Sequence, residues 1–268
     1  MSHRYTLFGN PVEHSLSPRI HQLFAEQTHR QISYTTTTAT AETFTEQVNT
    51  FFADGGRGCN VTVPFKENAA ALCKTLSPAA ELAGAANTLL LDADGAIIGH
   101  NTDGTGLVTD LSANLTLELR DKHVLIAGAG GASRGILGPL LEQSPAQILV
   151  ANRSTDKAAA LAERFSHLGV VAGIGFDEIP TGQPFDLVIN ATSLGLQNDK
   201  PTLPASVLHR QTIGYDLMYG KDTAFMQWVR EHGAIALDGL GMLLEQAADA
   251  YELWEGVRPK SRLMRSRL

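Results

Sequence analysis

The chain has 268 residues, 43% of them hydrophobic, enough to bury a full core and to make two modest domains. A net charge of −7, with basic residues gathered only in the tail RPKSRLMRSRL, argues against a nucleic-acid partner and leaves that tail as an expected frayed, solvated end. No apolar stretch approaches the length of a membrane span, and the opening MSHRYTLFG is too short and polar for a signal peptide, so the expectation is a cytoplasmic protein with no membrane partner.

The first hundred or so residues mix both element types. Tyr5 to Phe8 reads as a strand, and Pro18 to Gln27 as a helix with Ser17 at its cap and proline at its first helical position. Ile32 to Thr37 reads as another strand, and an amphipathic helix follows around Thr43 to Ala53. NVTVPF reads as a strand in which Val61 and Val63 alternate, leading into a helix through KENAAALC. NTLLLDADGAIIGHNTD reads as a β-hairpin, with Asp94-Gly95 supplying a positive-φ turn.

HVLIAGAGGASRG, from His123 to Gly135, opens the second block. Val124 to Ala127 has the β-branched, apolar character of a strand buried on both faces. The run Gly128, Ala129, Gly130, Gly131 and Ala132 then lets the backbone turn tightly and come close to a ligand, before a helix whose N-terminus favours phosphate. Ser133 holds the third position of the G-x-G-x-x-G pattern, and a plain strand-to-helix turn is the competing reading. A second buried-type strand, Ile148 to Ala151, ends about 20 residues on, where such folds read the adenosine ribose.

That strand ends in NRSTDK and not in an acid. Asn152, Arg153, Ser154 and Lys157 offer hydrogen-bond donors and positive charge to a ribose 2′-phosphate, so NADP is the expected cofactor. The competing role is a helix from Thr155 to His167 capped by Ser154, with both cations on its solvated face. Strands at Leu187 to Asn190 and Thr212 to Asp216 alternate with helices, which implies a parallel sheet. A long helix follows Gly239, with Leu240, Leu243, Leu244, Ala247, Tyr251 and Trp254 at helical spacing.

Three loops of the first block carry groups that a core would not choose: Ser15 and Ser17 in HSLSP; Asn60, Thr62 and Lys66 in NVTVPFK; Asn101 and Asp103 in GHNTDGTG. Hydroxyls, amides, one ammonium and one carboxylate together suit a small polyhydroxylated acid and a proton moved on it. Cys59 and Cys73, the only two cysteines, fit small buried hydrophobes, and the nine histidines show no paired ligand spacing, so no metal is expected.

GNPVEHSLSPRIH, NVTVPFKENA, GAANTL, GHNTDGTGL, AGAGGASRG, ANRS, INATSLG, YDLMYG and DGLGMLLEQAADAYELW occur in that order from Gly9 to Trp254. In this the chain resembles the shikimate/quinate dehydrogenase family over almost its whole length. The resemblance implies an α/β protein with a substrate-binding catalytic domain at 1–104, a Rossmann-type NADP-binding domain at 105–238, and a helical segment at 239–268 that returns to the first, with the cleft between the blocks. It implies NADPH-dependent, reversible reduction of 3-dehydroshikimate to shikimate. Lys66 matches the catalytic lysine and Asp103 its partner, and both also match substrate contacts, Asp103 together with Asn87 holding the ring hydroxyls. Ser15 and Ser17 match the serines that bind the substrate carboxylate, and Thr62, Asn87, Gln246 and Tyr219 match further substrate contacts. Thr192, Leu217 and Gly239 match cofactor contacts.

Some positions depart from the commonest family pattern: Glu13 in the serine loop, Ala86, and Ala224 in place of a proline. Glu13 places an extra negative charge near an anionic substrate. Two other functions compete: a quinate/shikimate dehydrogenase using NAD, which Asn152-Arg153 disfavours, and a noncatalytic Rossmann module that senses cofactor, which Lys66 with Asp103 disfavours. The oligomeric state is left open, a homodimer included.

Overall fold

A computed structural model describes residues 2–182, 184–197 and 199–268. The chain divides into two compact units, one running up to Leu107 and resuming at Leu243–Leu268, the other spanning Val108–Met242.

The first unit is built on β1 (His3–Gly9), β2 (Ile32–Thr38), β3 (Gly58–Val61), β4 (Thr75–Leu76), β5 (Thr88–Leu91) and β6 (Ile97–His100), in the sheet order β2-β1-β3-β5-β6-β4. β1 pairs in parallel with β2 and β3, whereas β5 runs antiparallel to both β3 and β6. Helices α1 (Ser17–Thr28), α2 (Phe44–Ala53), α3 (Lys66–Leu72), α4 (Pro78–Ala83) and α5 (Asp103–Thr109) fill the connections. The two-residue period of β1 sends Phe8 into a core with Phe44, Val48, Phe65 and Leu89, and Tyr5 to the other face against Trp254.

In the second unit β7 (His123–Ala127), β8 (Gln147–Asn152), β9 (Val171–Gly175), β10 (Leu187–Asn190), β11 (Ile213–Asp216) and β12 (Ile235–Leu237) form an all-parallel sheet in the order β12-β11-β10-β7-β8-β9. Helices α6 (Gly131–Leu141), α7 (Thr155–Phe165) and α8 (Ala224–Glu231) cross between strands, and α9 (Leu240–Glu255) follows β12. Val124, Leu125, Ile126 and Ala127 are all fully buried, as both-face coverage of a parallel strand demands. The order reverses beside β7, which makes the strand ends between β7 and β10 the topological switch point.

Several expectations need correction. Ser17 is the first residue of α1 and does not cap it: Leu16 is the cap residue, and Ser15 Oγ accepts the Ser17 N–H at 3.2 Å. β3 stops at Val61: the Thr62 N–H makes the last ladder bond, to the Phe8 carbonyl at 2.9 Å, and the Thr62 carbonyl then accepts the Phe65 N–H at 3.0 Å in a turn that leaves Val63 46% exposed. The hairpin turn has one left-handed residue, Gly95, in a loop that the Asp92 carboxylate closes by accepting the N–H groups of Asp94 and Ala96. Ser154 stands at the N-cap of α7 without a side-chain cap bond, and that helix ends at Phe165. β4, β9 and β12 are strands that the periodicity did not reveal.

The tail is not frayed. Ser261 and Met264 are buried, Ser261 donates to Glu245 at 2.8 Å, the Lys260 N–H bonds Gln27 at 2.6 Å, and Arg267 pairs with Glu26 at 3.0 Å. Cys59 lies in the core as expected, whereas Cys73 is only half-buried, its thiol pushed up to about 11 by desolvation.

Candidate active site and cofactor turn

In the first unit, topology gathers polar loops at one edge of the sheet. The loops after β1 and β3 lie side by side because those strands are parallel neighbours, and the Asn10 N–H bonds the Val63 carbonyl at 2.9 Å. β5 runs the other way, so Asn87, just before it, reaches the same edge, where its carbonyl accepts the Val61 N–H at 2.8 Å. β6 pairs antiparallel with β5, which returns Asn101, Thr102 and Asp103 to that edge.

Lys66 opens α3 and Asp103 opens α5; Lys66 Nζ donates to Asp103 Oδ2 at 2.5 Å. Their side chains are only 14% and 7% exposed, unlike the solvated surface pair that contributes little. Breaking such a pair leaves an uncompensated buried charge, so each member holds the other in place. Asn87 Nδ2 donates to the second Asp103 oxygen at 2.8 Å, and the Asp103 N–H donates to Asn101 Oδ1 at 3.1 Å. Asn87 Oδ1 accepts the Thr102 N–H at 2.9 Å and the Thr88 hydroxyl at 2.9 Å. Gln246, on α9, accepts from Asn87 Nδ2 at 3.3 Å and donates to the Leu243 carbonyl at 2.9 Å. A Cβ on Gly106 would meet the Gln246 backbone nitrogen at 2.7 Å, so only glycine lets α9 come close enough to deliver that side chain.

Ser15 donates to Ser17 Oγ at 3.1 Å, and Thr62 is half-buried one turn before Lys66. Asn60, in the middle of β3, is a brace: its amide donates to the Asn87 carbonyl at 3.1 Å and to Thr88 at 3.0 Å, and it accepts the Tyr34 hydroxyl at 2.7 Å. The Glu13 carboxylate accepts the Val12 N–H at 3.1 Å and the Thr38 hydroxyl at 3.1 Å, and backbone and Thr38 hydrogen bonds hold its carboxyl below the usual range. Gln246 is half-buried, while Leu253 further along α9 is exposed.

In the second unit the glycine turn is made of backbone. Gly128 has φ +110°, and a Cβ there would also meet the Ala191 carbonyl at 3.1 Å. Its N–H bonds the Ala151 carbonyl at 2.8 Å, while fully buried Ser133 donates to its carbonyl at 2.8 Å and ties the helix to the turn. Gly130 is the N-cap of α6 with no side-chain cap, and a Cβ on it would meet nothing within 4 Å. The open space beside Gly130, with no side-chain cap on the first helical N–H groups of α6, fits a pyrophosphate. At the end of β8, Asn152 Nδ2 donates to the Ser154 carbonyl at 3.1 Å, and Arg153 and Lys157 are exposed. These two cations fit a further phosphate.

Beyond β10 and β11 lies a buried network. Asp216 Oδ1 accepts from Asn190 Nδ2 at 3.2 Å and from the Met218 N–H at 3.0 Å, and Oδ2 accepts the Thr223 hydroxyl at 2.5 Å. Asn190 Oδ1 accepts both the N–H and the hydroxyl of Thr192, at 3.2 and 2.7 Å. Burial pushes Asp216 above the usual carboxylate range, against these donors. Leu217 donates its N–H to the Asn190 carbonyl at 3.1 Å, and Gly239 packs its backbone on the Leu217 carbonyl where a side chain would clash. Tyr219, two residues on from Leu217, is half-buried.

Comparison with known proteins agrees along the chain. A model of the shikimate dehydrogenase substrate-binding domain matches residues 7–89, one of shikimate/quinate 5-dehydrogenase matches 110–197, and one of the shikimate 5′-dehydrogenase C-terminal domain matches 239–268. The shikimate dehydrogenase (NADP(+)) of Alkalilimnicola ehrlichii is 49% identical over 263 residues, covering 97% of this chain and 96% of that protein. The chain belongs to the shikimate dehydrogenase family. Among solved structures, the Ael1 enzyme of Pseudomonas putida superposes with a TM-score of 0.91 at 43% identity, covering 100% of this chain and 98% of that one. The shikimate 5-dehydrogenase of Thermus thermophilus, in complex with NADP(H) and shikimate, gives 0.85 at 32%, covering 98% and 97%.

Against the family's pattern, the structure brings Lys66, Asn87, Asp103 and Gln246 into direct contact, and Ser15 with Ser17. Sequence reasoning missed Asn190, Asp216 and Thr223 as a unit. Their polar side chains ending buried strands were the available signal, since such groups need partners.

Proposed function

We propose that this chain is an NADP-dependent shikimate dehydrogenase, which reversibly reduces 3-dehydroshikimate to shikimate. The observation that carries the reading is the shielded Lys66–Asp103 pair, held by Asn87 and Gln246 at an edge crowded with hydroxyls and amides. NADPH, when bound, supplies the hydride. Lys66 Nζ gives its proton to the carbonyl oxygen in reduction and takes it back from the hydroxyl in oxidation. Asp103 orients that ammonium, and Asn87 fixes the carboxylate by occupying its other oxygen. Ser15 and Ser17 bind the substrate carboxylate through their hydroxyls, while Thr62, Asn87, Gln246 and Tyr219 select the ring hydroxyls.

The turn at 128–132 binds the pyrophosphate, Asn152, Arg153, Ser154 and Lys157 the ribose 2′-phosphate, and Thr192, Leu217 and Gly239 the nicotinamide half. The functional domains run 1–104 for substrate and 105–238 for NADP, with 239–268 serving the first. Net charge of −7 and the absence of a long apolar helix among the described residues support a cytoplasmic enzyme without nucleic-acid or membrane partners. A homodimer has support in β2, a seven-residue edge strand with no charged residue.

The test is a matrix of shikimate and quinate against NADP and NAD, following reduced nicotinamide by absorbance. Turnover of shikimate with NADP is expected to dominate. A preference for quinate with NAD supports the second reading, and binding of NADP without turnover of either acid supports a cofactor sensor.

A further inference from the structure

The buried network at the ends of β10 and β11 has a direction, and the direction follows from chemistry alone. A carboxylate only accepts, and a backbone N–H only donates. Asn190 lies between the Asp216 carboxylate and the Thr192 N–H, so its NH2 must face Asp216 and its oxygen must face Thr192. Flipping the amide would set oxygen against carboxylate and NH2 against N–H, leaving all four groups unpaired in a buried place.

The same logic fixes the Thr192 hydroxyl. It stands 2.7 Å from Asn190 Oδ1, which can only accept, so the hydroxyl spends its single proton there. What remains on Thr192 Oγ1 is lone pairs. Thr192 is half-buried at the end of β10, beside β7, and its methyl lies 3.3 Å from where a Cβ on Gly128 would stand. It therefore borders the glycine turn at the topological switch point, on the side away from β8, where the second half of a dinucleotide lies. In that half, the group that can only give N–H is the carboxamide NH2 of the nicotinamide.

We propose that Asp216, acting through Asn190, sets Thr192 as an acceptor for the nicotinamide carboxamide N–H, so that Thr192 is a specificity contact and Asp216 its positioning residue. This rests on the reading of the chain as an NADP enzyme. An acceptor with no proton to give tells the carboxamide NH2 from its oxygen, and so favours one orientation of the ring over the flipped one.

The experiment measures binding, by calorimetry, of NADP and of its 3-acetylpyridine analogue, in which a methyl ketone replaces the carboxamide and no N–H remains. Wild type is expected to prefer NADP by roughly tenfold, one net hydrogen bond. Thr192→Val should lower NADP affinity about tenfold and leave the analogue unchanged, collapsing the preference. Asp216→Leu should blunt the preference likewise, and Asp216→Asn, which keeps an oxygen toward Asn190, should restore it. If Asp216→Leu fails to fold, Thr192→Val and Asp216→Asn still decide. Equal loss for both cofactors in Thr192→Val overturns the proposal and points to the ribose or to packing, as does no loss at all. Wild type binding both equally overturns this inference alone, whereas wild type binding neither overturns the cofactor reading with it.

Discussion

The two units build their candidate sites in opposite ways. At the sheet edge of the first, five chain segments each contribute side chains, and almost every polar atom is fixed by another: Lys66 by Asp103, Asp103 by Asn87, Asn87 by Thr102 and Asn60. At the glycine turn of the second, the groups on offer are backbone N–H, and side chains matter mainly by being absent, as at Gly128 and Gly130, or small, as at Ser133. A site made of side chains concentrates its function in single residues; one made of backbone spreads it over a conformation. Substitutions should therefore act sharply in the first unit and gradedly in the second.

The largest expected effect is at Lys66. Lys66→Ala should lower turnover by roughly two to four orders of magnitude, the usual scale for losing a general acid–base group, with a much smaller change in shikimate affinity. Steady-state kinetics with a parallel binding titration measure both. Near-normal turnover would end the assignment, and an equal loss in binding would make Lys66 a substrate contact.

The floor beneath that cluster gives the next effect. His21 is fully buried, stacked 4.2 Å from Tyr34, whose hydroxyl holds Asn60, and neither ring nitrogen has a protein hydrogen-bond partner. Burial pushes its pKa down to about 3. The folded chain thus keeps the ring neutral while the unfolded chain protonates it below about 6.5. Above that pH the group adds no slope; between about 6.5 and 3 it destabilises the fold by up to about 1.4 kcal/mol per pH unit as pH falls. Urea melts at pH 7 and pH 5 should show a smaller loss in His21→Phe than in wild type. Equal losses would mean that the ring finds a partner in solution.

Arg153 tests the graded side of the comparison. On the proposed reading the glycine turn meets a pyrophosphate common to NAD and NADP, and discrimination then falls to the exposed cations after β8. Arg153→Ala removes a charge-assisted contact of about 1.5 to 3 kcal/mol, roughly tenfold to over a hundredfold in NADP affinity. NAD binding should barely change, and the NADP loss should shrink at high salt. Equal weakening of both cofactors would place Arg153 in the fold or the adenine pocket instead.

The same contrast explains what was legible beforehand. β7 and the turn could be read because a strand covered on both faces is a plain apolar run and a tight turn needs glycine, both local signals. Lys66, Asp103 and Asn87 were legible through motif order, although nothing local says that residues 37 and 16 positions apart should touch. β3 extends less far than its pattern implies because Val61 and Val63 imitate alternation, while the turn that follows it, closed by the Phe65 N–H on the Thr62 carbonyl, leaves that alternation intact. The docked tail was invisible because its partners Glu26 and Gln27 lie more than two hundred residues away. The Asp216 network fell between both kinds of signal.

Glu13 should give the smallest effect and the finest test. On charge alone it opposes an anionic substrate, and removing it should help binding. Its carboxylate, however, is already engaged by the Val12 N–H and the Thr38 hydroxyl, which fasten the start of the serine loop to the end of β2. Glu13→Gln removes the charge but keeps an oxygen for those donors, and exposed charge is heavily screened, so the shikimate KM should move by no more than about twofold. Glu13→Ala removes the tether as well and should raise KM more than Gln does, with NADP affinity unchanged. If both variants lower KM alike, and 0.5 M salt abolishes the gain, on the order of a Debye length of 4 Å, repulsion outweighs the tether. The serine loop would then be held by its backbone, as the glycine turn is, and the contrast between the units would be narrower than their hydrogen bonds suggest.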